Sequence, residues 1–137
     1  MRVCLFLLLA SFMSSLLFAD NDLAGFQGKN RVLVLLASSA DDPLLREQQA
    51  INAASAAGFG ERDLIMVLEI RQDGPLHRKF GLQGRDFRAL LIGKDGHTAL
   101  QRSKPISATE LFSVIDAMPM RRDEIRRQKK ASASSHM

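Results

Sequence analysis

The sequence predicts an α/β domain with a four-stranded mixed sheet, on three observations. The segment Phe87–Gly96 runs Ala89-Leu90-Leu91-Ile92 into Gly93-Lys94-Asp95-Gly96, a short apolar strand entering an Asp-Gly hairpin. Val32-Leu33-Val34-Leu35-Leu36 and Leu64–Ile70 are apolar almost throughout and do not alternate. That pattern suits strands covered on both faces, as in a parallel sheet. Between these two strands lies a segment with helical punctuation, so they form a strand–helix–strand crossover unit.

In chain order, Asp20–Asn30 reads as a linker and Arg31–Ala37 as the first strand. Asp42 is placed to cap a helix whose first position is Pro43, where the missing N–H costs nothing. Leu44, Gln48, Ile51 and Ala54-Ser55 lie down one side of that helix, and Gly58 suits its left-handed C-terminal residue. Leu64–Ile70, the second strand, is apolar enough to be expected at the sheet centre. Gln72-Asp73-Gly74-Pro75 breaks the chain, and Leu76–Phe80 gives one or two helical turns closed by Gly81. The hairpin follows, with its second strand near Ala99–Arg102. Ser107-Ala108-Thr109-Glu110 is a capping box opening a helix with Leu111, Val114, Ile115 and Met118 at helical spacing. Pro119 ends or re-caps it. The domain is thus expected over residues 31–120, followed at 121–137 by a basic, partly disordered tail. That tail carries only Ile125 as a large apolar residue beyond Met120, so truncation after Arg122 is expected to leave Tm nearly unchanged.

The first nineteen residues stand apart. Arg2 precedes an apolar run from Val3 to Phe18, and Ala19 offers a small residue before Asp20-Asn21-Asp22. This reads as a secretory signal peptide cleaved after Ala19, which places the protein in the periplasm or outside the cell. The alternative is an uncleaved anchor at the short limit of a spanning helix. Cys4, the one cysteine, lies inside that run, so residues 20–137 contain no thiol and no internal disulfide.

Charge is uneven along the chain. There are 19 basic and 15 acidic residues, but Arg121–Lys130 alone holds six basic and two acidic. Without that segment and Arg2, 12 basic residues face 13 acidic, a near-neutral body. Such a body, exported, argues against a nucleic-acid-binding face. Arg121, Arg122, Arg126, Arg127, Lys129 and Lys130 form a candidate basic surface for anionic lipid or polysaccharide, with a solvated helix end as the plain alternative.

The order strand–helix–strand, short helix, two strands, helix is that of the thioredoxin fold. Lys79-Phe80-Gly81-Leu82-Gln83-Gly84, an apolar strand and Lys94-Asp95-Gly96 resemble the second half of thioredoxins. A fuller resemblance is to domain-of-unknown-function family 4174. It rests on Ser39-Ala40-Asp41-Asp42-Pro43, on Leu91-Ile92-Gly93-Lys94-Asp95-Gly96, and on Leu111-Phe112 with Ile115-Asp116-Ala117-Met118-Pro119-Met120-Arg121. That resemblance implies a thioredoxin-like or peroxiredoxin-like fold in small exported bacterial proteins and in animal extracellular proteins with sushi repeats. It brings no activity.

In thioredoxins the reactive thiolate follows the first strand, where a helix N-terminus stabilises it. Here that place holds Ser38-Ser39-Ala40-Asp41-Asp42, and Arg85-Asp86-Phe87-Arg88 lacks the proline that thioredoxins carry before the third strand. Ser38, Ser39, Asp41 and Asp42 are therefore a candidate binding loop of a non-redox module that engages an envelope protein or ligand. The alternative is an enzyme, oxidoreductase-related or hydrolytic, using the same loop. Serine catalysis needs a base and an orienting group, and neither His77 nor His97 shows a triad spacing. His77, His97 and His136 lack the clustering of a metal site. No catalytic residue, metal or cofactor is expected.

Overall fold

The computed structural model describes residues 23–82 and 86–136. The expected signal segment, with Cys4, lies outside the described residues, as do Gln83, Gly84 and Arg85. The four strands are β1 (Arg31–Leu36), β2 (Leu64–Glu69), β3 (Arg88–Ile92) and β4 (Thr98–Arg102). The helices are α1 (Pro43–Ala54), α2 (Ala56–Glu61), α3 (Pro75–Lys79), α4 (Ala108–Asp116) and α5 (Pro119–Ser134). The sheet order is β2-β1-β3-β4, with β1 parallel to β2, and β3 antiparallel to both β1 and β4.

The side chains of β1 are divided between two cores by the two-residue period of a strand. Leu33, Leu35 and Ala37 pack with Leu45, Phe59, Leu91, Leu111 and Ile115 under α1, α2 and α4. Val32, Val34 and Leu36 pack with Leu76, Leu90 and Ile92 on the opposite face. Both faces are covered, which explains why β1 reads as a continuous apolar run.

β2 is an edge strand, not a central one. Its apolar sequence reflects two covered faces rather than two paired edges, and Met66 remains 41% exposed. Gly58 does not end the first helix. Ser55 caps α1, and Gly58 lies within α2 because a Cβ there would meet the ring of Phe112. The left-handed residue before β2 is Asp63, φ 49°, a conformation Asp tolerates better than most residues. On α1 the fully inward positions are Leu45 and Gln48, and Leu44 is only half-buried. Gln48 is satisfied by the backbone of Ile106: its Nε2 donates to the carbonyl (3.0 Å) and its Oε1 accepts the N–H (2.6 Å).

Ser107 caps α4 by accepting the N–H of Glu110 (3.1 Å). Glu110 turns to Arg102 (2.9 Å). Residues 23–30 are more than a linker. Leu23–Phe26 form a 3-10 turn against the Val32–Leu36 face, and Gly28 donates to the Lys94 carbonyl (2.7 Å). In the hairpin Gly96 takes φ 84°, the conformation its turn requires.

The basic segment 121–134 continues as α5, and its first turns belong to the body. Arg31, 0% exposed, directs Nη1 and Nη2 to the carboxylate of Glu124 (both 3.2 Å). Lys94 Nζ reaches the same carboxylate (2.6 Å) and Asp63 (2.9 Å). Arg121 bonds Asp116 (3.2 Å) and the Glu61 carbonyl (3.0 Å), and Arg62 holds Asp116 from the other side (2.9 and 3.0 Å). Burial alone would raise the Glu124 pKa, but hydrogen bonds from Arg31 and Lys94 outweigh it and hold the carboxyl below its ordinary value. The hydrogen bond from Arg62 outweighs the burial of Asp116 and, joined by Arg121, holds its carboxyl below the ordinary value.

These contacts reverse the expectation for truncation after Arg122. Removing Glu124 leaves a buried guanidinium uncompensated, so that truncation and Glu124→Ala should each cost about 3 kcal/mol. Urea unfolding measures the loss. Because both carboxyls are depressed in the folded state, their stabilisation is present above the ordinary carboxylate values and is lost as pH falls through the folded ones. Stability should therefore decline below about pH 4.5, Glu's ordinary value, and decline less steeply in Glu124→Gln. An unchanged slope in that variant would count against the clamp.

Candidate functional site

Parallel pairing of β1 and β2 brings the loops after both strands to one end of the sheet, the end where open α/β sheets bind ligands. After β1 the chain leaves through Ala37, whose N–H donates to the Glu69 carbonyl (3.1 Å), and enters Ser38–Asp42. Asp42 Oδ1 accepts the N–H groups of Leu44 (2.8 Å) and Leu45 (3.4 Å), the capping role its position predicts. Ser39 Oγ accepts the N–H of Asp41 (3.1 Å), and Asp41 pairs with exposed Arg46 (2.7 Å). Ser38 is half-buried, while Ser39, Ala40 and Asp41 are exposed. The four predicted loop residues thus share one turn, and three of them are engaged locally.

A second feature at this end has no signal in the sequence. Glu69, the last residue of β2, faces α3 across the Gln72–Pro75 break. Its Oε1 accepts the Leu76 N–H (3.1 Å), and Oε2 accepts the His77 N–H (2.8 Å) and lies 2.6 Å from His77 Nδ1. One carboxylate therefore caps α3 and orients a buried imidazole. A carboxylate already receiving two N–H groups is an acceptor, so Nδ1 is the donor in this contact. Nε2 is buried with no hydrogen-bond partner among the described residues. Gly74 makes room, since a Cβ there would overlap the Glu69 carboxylate. The eight-residue separation of Glu69 and His77 is no recognised motif. It becomes a contact only because the chain reverses at Gly74-Pro75.

The predicted basic residues divide. Arg121 is buried in the ion network. Arg122, Arg126, Arg127, Lys129 and Lys130 are exposed along α5. No group of three or more metal-ligating side chains occurs among the described residues.

This topology, a mixed four-stranded sheet crossed by α1 and closed by α4, defines a thioredoxin-like protein. A solved structure, the crystal structure of Plasmodium vivax 2-Cys peroxiredoxin in its reduced form, shares the fold with a TM-score of 0.55 at 14% identity, over 79% of this chain and 84% of that one. Residues 22–124 match the family described as Domain of unknown function (DUF4174), and the chain belongs to it.

The Glu69–His77 contact is testable as structure. Glu69→Ala removes an acceptor from three donors and leaves a buried imidazole unpaired, an expected cost of about 3 kcal/mol. The Tm should fall by about 10 °C. A fall under about 3 °C would show that Glu69 neither caps α3 nor holds His77.

Proposed function

We propose that this chain is an exported, non-redox thioredoxin-like module of the bacterial envelope, periplasmic or secreted, that works by binding through the loop after β1. The observation that supports this reading is the content of that loop. At the start of α1, where the fold carries a reactive thiolate, Asp42 caps the helix through its carboxylate and the neighbours are hydroxyls. Thiol–disulfide exchange needs a thiolate to form a mixed disulfide, and residues 20–137 contain none. The similar Plasmodium protein is named for two cysteines; here the fold is retained without them, as a scaffold presenting loops.

A hydrolytic reading has one observation in its favour, the carboxylate-oriented His77 at the same end of the sheet. Its Nε2 is fully enclosed and no hydroxyl lies within hydrogen-bonding distance of it among the described residues, so binding is the better-supported reading.

The purified protein starting at Asp20 should not accelerate insulin reduction by dithiothreitol, nor hydrolyse activated esters above background. Placing a bulky cation in the loop, Ala40→Arg, should abolish recovery of a partner from the envelope fraction while leaving Tm unchanged. Catalysed turnover in cysteine-free protein, or undiminished recovery with Ala40→Arg, would overturn the proposal.

A further inference from the structure

We infer that the outward face of α5 is a docking ridge for the surface of an anionic phospholipid bilayer. The inference stands on charge and helix geometry, independently of the loop after β1. Arg121, Glu124 and Ile125 turn α5 toward the body, and every residue from Arg126 to His136 is exposed. At about 100° per residue, Arg122, Arg126, Arg127, Lys129 and Lys130 fall within an arc of about 160°, centred roughly opposite that anchoring stripe. The clamp on Glu124 therefore fixes which way the cations point.

It also removes the helix's inner acid from the outer face, because Arg31 and Lys94 occupy that carboxylate. The outer face keeps one anion, Asp123, paired with Arg126. The side chains of Arg122, Arg127, Lys129 and Lys130 have no acidic partner among the described residues. Arg122/Arg126 and Arg126/Lys130 stand four residues apart with like charge, an arrangement that destabilises a helix until a counter-anion arrives. An ordinary solvated face intersperses both signs.

The shape of the ridge selects the partner. α5 is a single convex helix with no opposing wall, so it offers no groove to hold a lone anionic chain. It has no aromatic residue for stacking on bases or sugars. Its one half-buried aliphatic in the second turn, Ile125, faces the body, so α5 lacks the apolar side that inserts into acyl chains. What remains is a row of cations matched to a plane of headgroups, carried on a near-neutral body that opposes neither approach nor orientation. The family match ends at Glu124, so the ionic anchors Arg121 and Glu124 lie within the family domain and Arg126–Lys130 beyond it.

Co-sedimentation of the protein starting at Asp20, which keeps every described residue and removes Arg2 with the apolar run, tests this. Vesicles of phosphatidylglycerol and phosphatidylcholine in equal parts are compared with phosphatidylcholine alone. The protein should prefer the anionic vesicles, each single change among Arg126→Gln, Arg127→Gln, Lys129→Gln and Lys130→Gln should weaken binding about five-fold, and the four together should remove most of the preference, leaving only what Arg122 supplies. Salt at about 0.5 M should release the protein. All four side chains are exposed, so the quadruple variant should keep its Tm, and Lys129→Arg with Lys130→Arg should bind as the parent does. Equal binding to both vesicles, or a preference undiminished in the quadruple variant, would overturn the inference. Tighter capture by soluble polyglutamate or a sulfated polysaccharide than by the vesicles would make the partner a soluble polyanion and overturn the lipid assignment.

Discussion

Arg31 sets the constraint on which the rest of the structure depends. It is the first residue of an internal strand, fully buried, and its guanidinium does not deprotonate in a protein. A buried cation of this kind costs several kcal/mol unless an anion meets it. Glu124 does so from 93 residues along the chain, and Lys94 from the hairpin turn shares the same carboxylate. One contact thus ties together the beginning of β1, the β3–β4 turn and α5. Arg121, Arg62 and Asp116 extend the network to α2 and α4.

The two ends of the sheet are consequently unlike. The end where β1 and β2 begin is closed by charge, its ionic groups facing one another across α5 and the Asp63 turn. The end where they finish is built of short loops and the N-termini of α1 and α3. There the polar groups serve local order: Asp42 caps α1 and Glu69 caps α3.

His77 differs from the other polar residues at that end. Its ring is enclosed, one nitrogen is fixed by Glu69, and the other has no hydrogen-bond partner among the described residues. The Glu69 contact accounts for the orientation of the ring.

The sequence by itself determined the four strands, α1, α3 and α4, their order, and the lack of cysteine after Cys4. Strand type is written in local runs such as Val32–Leu36, and helix starts are written in Asp42-Pro43 and Ser107 because capping is a contact over two or three residues. The absence of cysteine after Cys4 needs no structure to be read. Only the tertiary structure decided what depends on distant partners. The same apolar pattern serves Leu33 in an internal strand and Leu64 at an edge, since hydrophobicity reports covered faces and not hydrogen-bonded neighbours. Glu124 looked like one charge in a solvated basic segment until Arg31 and Lys94 were brought to it. Glu69 and His77 became a pair through the reversal at Gly74-Pro75. In each case the energy lies in a contact between residues whose local sequence is unremarkable, so no local pattern could record it.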